Sequence, residues 1–176
     1  MKDIHILERR MSKAEVLVWV QDLHHDEAGI SELCDLLFRA DHARVCTNVA
    51  WIFSHLSQED KTLYLSSRYE ELVGLALSSE VPVRLGLLLS LLLDLSTKEN
   101  FRSDLLDFCL CHLSDRNYTS GDRSYMIHLA ARLCGFYPEL KQELELCLEF
   151  LAEDPAPSVG AARQHALGKL RVSKKK

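Results

Sequence analysis

A chain of 176 residues, 47% hydrophobic and 27% charged, is long enough to bury a real core and too apolar to stay disordered. Its formal net charge of −5 argues against a nucleic-acid binder, whose affinity rests on an excess of Lys and Arg. Gly (7) and Pro (4) are scarce, so turns are few and long helices are favoured over many short strands.

Residues 1–11 are charged and mixed and read as a mobile lead-in. Ser12 is a good N-cap for a helix over 13–23, where Val16, Trp19, Val20 and Leu23 recur at helical spacing. His24-His25-Asp26-Glu27-Ala28-Gly29 breaks the pattern, and a short helix follows over 31–40 with Leu33, Leu36 and Leu37 as its apolar face. Asp41 caps the next helix, which ends near Leu56 and turns Val45, Val49, Ile52 and Phe53 inward. Ser57-Gln58-Glu59-Asp60 resembles a capping box with Asp in the usual place of Glu. It starts a kinked helix to Ser79 with Leu65, Tyr69, Leu72, Val73 and Ala76 buried.

The helix predicted over 81–95 organises the chain. Pro82 fits its first turn, where a missing N–H costs nothing. Between Arg84 and Asp94 the only polar group is Ser90, whose hydroxyl can bond back to a carbonyl one turn earlier. The uncharged run is nine residues, and a membrane span needs about 20, so the helix is expected to be packed by others on most sides. Thr97 then caps a helix over 98–114, and Asp115-Arg116-Asn117-Tyr118 is a polar loop. Thr119 and Asp122 begin a helix to about Phe136, and Pro138 opens one with Leu140, Leu144, Cys147, Leu148 and Leu151 inward. Asp154-Pro155-Ala156-Pro157 is a turn, 158–170 the last helix and 171–176 a basic tail. No stretch alternates with a period of two for long enough to be a strand. The class is all-α, with about nine helices in one domain over 12–170.

Cys34, Cys46, Cys109, Cys111, Cys134 and Cys147 all fall in helix-like apolar segments, where a free thiol behaves as a small hydrophobe. No disulfide framework is expected. Residues 1–10 hold no apolar signal stretch and neither end carries a lipidation motif, so a reducing, cytoplasmic setting is expected.

Self-comparison reveals a period. Ala43-Arg44, Val83-Arg84 and Arg123-Ser124 each lie near a helix start, 40 residues apart both times. Seven positions later the residue is small in all three: Ala50, Ser90 and Ala130. Val159-Gly160 and Ala166-Leu167 fit a shorter final step. A small residue at a fixed place lets a neighbouring helix approach closely, so the period implies one packing contact made repeatedly.

With Asp41-His42-Ala43-Arg44, Pro82-Val83-Arg84, Asp122-Arg123 and Pro157-Ser158-Val159-Gly160, the chain resembles the HEAT and armadillo-type helical repeat proteins over roughly residues 30–170. Only Arg44 and Arg84 keep the family's Arg in register; Arg123 is one place early and Gly160 replaces the last. The resemblance implies an α-α superhelix, a right-handed solenoid of stacked helix pairs, and no particular activity.

In such a stack the second helices (31–40, 65–78, 101–114 and 138–152) form one layer. They carry Glu32, Asp35, Glu70, Glu71, Asp104, Asp107, Glu139, Glu143, Glu145 and Glu149 against Arg39, Arg68, Arg102 and Lys141. The first helices are biased the other way. Glu145 and Glu149 lie four apart, as do Glu139 and Glu143, and like charges at that spacing repel by a few tenths of a kcal/mol. A partner with Lys or Arg would relieve this, which makes Glu70, Glu71, Asp104, Asp107, Gln142, Glu145 and Glu149 candidate partner-binding residues; a merely solvated face is the plainer explanation. Arg44, Asn48, Trp51 and His55 form a second candidate stripe, since a Trp among polar residues can anchor an interface. The alternative is a Trp covered by the adjoining N-terminal helices.

No catalytic or cofactor site is expected. His24-His25-Asp26 in a turn supplies few metal ligands without partners elsewhere, and Cys109, Cys111 and His112 match no closed zinc site. There is no phosphate-binding glycine loop. The expectation is a non-catalytic scaffold that binds a protein or peptide, with no membrane role. Self-association through an uncapped end is a further option. The alternative is a DNA-binding protein resembling the HEAT-like alkylpurine DNA glycosylases. Trp19, Trp51, Tyr64, Tyr69 and Tyr118 could supply that family's aromatics, while the acidic second helices count against it.

Overall fold

Four of the described helical segments in this chain start at side chains that accept a first free N–H group: Ser12, Asp26, Ser57 and Thr119. The computed structural model describes residues 4–38, 42–78 and 83–172. All regular elements among them are helical, and none of those helices is long and apolar enough to cross a membrane. The chain divides into two compact units, residues 1–95 and 96–176.

Unit 1 begins with a 3-10 turn, Ile4–Glu8, where a mobile lead-in was expected. The difference has a physical cause. Leu7 and Met11 are buried, and Asn48 Nδ2 donates to the carbonyls of Leu7 and Arg9, both at 2.8 Å. Helix α1 (Lys13–Asp22) opens with a full capping box: Ser12 Oγ accepts from Glu15 N–H (3.3 Å) and Glu15 Oε2 accepts from Ser12 N–H (2.8 Å). Helix α2 (Glu27–Phe38) starts four residues earlier than expected, because Asp26 Oδ1 accepts from Gly29 N–H at 3.0 Å. A Cβ on Gly29 would lie 2.5 Å from Asp26 Oδ2, so this cap needs glycine there.

Helix α3 (Ala43–Ser54) buries Val45, Cys46, Val49, Ala50, Ile52 and Phe53. The expected Asp41 cap lies outside the described residues, as do Arg39, Ser79, Val81, Pro82 and residues 173–176 of the basic tail. The capping Ser57 is confirmed: its Oγ accepts from Asp60 N–H (3.0 Å) and donates to Asp60 Oδ2 (2.8 Å). The kink expected in this helix is a widened π-type turn over Lys61–Leu65 and a tight one over Ser66–Arg68, before α4 (Tyr69–Leu77). Helix α5 (Leu85–Leu95) buries Leu88, Leu89, Leu91, Leu92 and Leu95, and none of its residues is fully exposed. It packs on α3, α4 and the 61–65 turn. Ser90 Oγ donates back to Leu87 O at 2.8 Å.

In unit 2 the first helix is shorter than expected. Asn100 Oδ1 takes the N–H of Thr97 (2.7 Å), which closes a turn instead of starting a helix, and α6 runs Ser103–His112. Helix α7 (Ser120–Phe136) starts where Thr119 and Asp122 were expected to begin it, and the two form a capping box. Pro138–Leu140 is a 3-10 turn that leads into α8 (Lys141–Glu149), and α9 (Pro157–Val172) is the last helix. Helix α7 packs against α6, α8 and α9. Of the small residues at the 40-residue period, Ala50 and Ala130 are buried on α3 and α7, while Ser90 on α5 is half-buried; Ala166, at the shorter final step, is buried on α9. First-type helices pack against each other within each unit, α3 on α5 and α7 on α9.

Candidate functional site

The acidic candidates fall into two groups. Glu70 and Glu71 stand on α4 in unit 1, and both are exposed. Glu71 is already paired, with Arg68 Nε 2.5 Å from its Oε1. Asp104 and Asp107 are exposed on α6, and Arg102 holds Asp104 at 2.6 Å. The Arg102 guanidinium keeps the Asp104 carboxyl below its ordinary range despite some burial. Glu71 and Asp104 are therefore neutralised locally, by an Arg two or three residues away.

Helix α8 differs. Its inner face buries Leu144 and Leu148, and Leu151 follows at the helix end. Its outer face carries the exposed Gln142 and Glu149, the half-buried Glu145, and two large apolar side chains, Leu146 (52% exposed) and Phe150 (86% exposed). Leu146 and Phe150 are four apart and so share that face. Sequence reasoning passed over both, although neither fits the Leu144–Leu148–Leu151 stripe. Two unburied apolar groups among carboxylates are informative where two bare acids are not.

The stripe on α3 separates into parts. Asn48 is buried and committed to the backbone of Leu7 and Arg9, so it is structural. His55 Nδ1 lies 3.0 Å from Trp51 O, at the end of its own helix. Arg44 and Trp51 instead line a cleft of about 510 Å³ together with Arg10, Met11, Thr47, Asn48, Arg84 and Leu87. Trp51 is half-buried, so the N-terminal segment borders it without covering it. Arg44 and Arg84 are the two arginines of the 40-residue register, and no ion pair forms on either among the described residues. Arg10 was missed because it lies in the presumed lead-in.

Three of the buried thiols are poorly placed for nucleophilic chemistry. Burial pushes the Cys34 thiol up to about 11 and Cys134 up to about 12, with Cys109 raised further. Such thiols are poor nucleophiles. None of the six cysteines is in a disulfide; Cys111 is exposed and Cys147 half-buried, unlike the other four. Between α7 and α9, Ala131, Arg132, Gly135, Phe136, His165 and Gly168 help to line a cavity of about 720 Å³, with no carboxylate or thiol among the described residues that line it. One group of possible metal ligands does come together, His24 and His25 with Asp60.

No curated protein and no solved structure matches the chain. A family model does, the HEAT repeat domain, over residues 4–170. That span takes in every helix described above, including the N-terminal turn that Asn48 holds in place. The match covers nearly the whole chain, and the chain belongs to the HEAT repeat domain family.

Proposed function

We propose that the chain is a non-catalytic helical-repeat scaffold that binds a partner protein through the outer face of α8. The observation that carries this reading is the exposure of Leu146 and Phe150 between Glu145 and Glu149. The occupant that suits this face is a basic amphipathic segment, whose apolar side covers Leu146 and Phe150 while its Lys or Arg groups meet the acids. Membership of a repeat family whose surfaces commonly serve as platforms is consistent with it. A reducing, cytoplasmic setting goes with the reading, supported by six cysteines, none of them in a disulfide.

The test is titration of the full chain with a fluorescent Lys-rich amphipathic peptide. Binding should weaken by ~10-fold or more in Phe150→Ala, as for a central apolar anchor. Binding that is unchanged by Phe150→Ala and by reversal of Glu145 and Glu149 removes this surface.

A second reading, binding of DNA, is favoured by one observation only: Arg10, Arg44 and Arg84 line a single cleft with Trp51. Arginine forks match phosphate geometry, and an aromatic face can stack a base. Duplex and single-stranded DNA at low salt would discriminate, and binding that survives loss of Arg44 and Arg84 would place it elsewhere.

A further inference from the structure

The turn between α1 and α2 brings two imidazoles to a buried carboxylate. His24 Nδ1 lies 3.0 Å from Asp60 Oδ2, and His25 Nδ1 lies 3.6 Å from Asp60 Oδ1. The Asp60 side chain is 2% exposed, while those of His24 and His25 are 55% and 57% exposed. Adjacent histidines in a turn are poor ligands by themselves; here the third ligand comes from the helix start 36 residues away.

Two independent features mark this as more than a hydrogen-bonded cap. Asp60 Oδ2 is satisfied by Ser57 and His24, but Asp60 Oδ1 is buried with no hydrogen-bond partner. Native structures rarely leave such an atom empty, and an ion is one of the standard explanations. His25 also has φ of 60°, the left-handed region that residues with a Cβ seldom adopt. The two imidazoles lie against each other at a tilt of 33°, with ring centroids 3.8 Å apart. Strain of this kind collects at ligand sites.

We propose that His24, His25 and Asp60 form a binding site for a divalent transition-metal ion of the zinc type. The ligand set of two imidazoles and a carboxylate suits a borderline-soft cation. Zinc bonded at its usual lengths has ligand atoms roughly 3.3–3.5 Å apart; here each imidazole Nδ1 approaches a different oxygen of the Asp60 carboxylate, at 3.0 and 3.6 Å, so small side-chain rotations would bring the three ligands onto one ion. All the ligand atoms lie within 4.8 Å of one another. The exposed side of the imidazoles leaves the remaining position to water. The field around the site favours a cation: burial, and then the charges of Asp60, Glu27, Asp26 and Glu59, push the neighbouring Tyr64 phenol above its ordinary value. The ion would tie the α1–α2 turn to the start of the 58–68 segment within unit 1. It would therefore stabilise the fold rather than supply chemistry, which is compatible with a non-catalytic scaffold and independent of the α8 surface.

The test uses the full chain freed of metal, titrated with Zn2+ by calorimetry and with Co2+ by visible absorption. A single equivalent should bind, with four-coordinate Co2+ colour and a raised melting temperature, while Mg2+ and Ca2+ leave the melting temperature unchanged. His24→Gln and His25→Gln, at exposed side chains, should fold normally and lower Zn2+ affinity by at least ~10-fold each. Asp60→Asn should also lose the site, and the histidine variants keep the test valid if that chain unfolds. No binding by the wild-type chain, or equal affinity in the two histidine variants, overturns the proposal.

Discussion

Arg123 forms a buried ion pair with Asp154, and each side chain is only 5% exposed. Arg123 Nε also donates to Leu113 O at 3.0 Å, and Asp154 Oδ1 accepts from Ala156 N–H at 3.0 Å, so neither ion relies on its partner alone. One guanidinium thereby joins α7 to the turn after α6 and to the turn before α9. Removing one partner strands the other charge, so Asp154→Ala should cost about 3–5 kcal/mol in chemical denaturation. The Arg123→Met, Asp154→Leu double variant should cost clearly less than the two single changes together.

The same pair predicts an acid response. Burial raises the Asp154 carboxyl, but the Ala156 N–H and Arg123 outweigh it and hold it below its ordinary 3.8. A carboxylate depressed in the folded state contributes stability above its unfolded value, and that contribution is lost as pH falls through the lower folded value. Wild-type stability should therefore drop as pH falls below about 4, by more than in Asp154→Asn, when urea midpoints are compared across pH.

Leu89 is fully buried at the centre of α5. Leu89→Asp would place an unpaired carboxylate against α3 and α4, at a cost of several kcal/mol. The full chain should lose its cooperative thermal transition. A folded Leu89→Asp protein by circular dichroism would show that α5 is not central to its unit.

Asn48 fastens the N-terminal turn with two hydrogen bonds of 2.8 Å to Leu7 O and Arg9 O. Asn48→Ala leaves both carbonyls unsatisfied and should cost about 1–3 kcal/mol. Amide exchange should accelerate at residues 4–11 well beyond any change in α5 or α7. Uniform acceleration would mean that the turn does not open separately.

On α8, reversing Glu145 and Glu149 to Lys should abolish the salt-sensitive part of peptide binding. Phe150→Ala should leave stability within about 0.5 kcal/mol, as expected where a side chain is exposed. Raising the salt from about 50 to 500 mM should weaken wild-type binding and barely affect the reversed variant.

Local chemistry made much of this fold legible. Ser12, Ser57 and Thr119 announce their helices because capping needs only residues three apart. The class could be read because Leu, Ala and Ser recur at helical spacing and at 40 residues. Tertiary satisfaction was not legible. Asn48 looks like a surface residue until Leu7 and Arg9 arrive from 41 and 39 residues away. Asp60 looks like a cap until His24 arrives from 36 away. Thr97 had the composition of a cap, yet Asn100 claimed its N–H first. Arg84 could have been joined to Arg44 through the period, whereas Arg10 carried no such signal.

The widened turn at Lys61–Leu65 holds one residue more than a regular α-helix would use over the same rise. Deleting that spare residue would restore an ordinary α-turn and keep Tyr69, Leu72, Val73 and Ala76 facing α5. Deleting one from the regular helix of α4 would instead rotate everything after it by about 100° about the helix axis. The widened turn is thus the one place in this segment where the chain carries slack in its residue count.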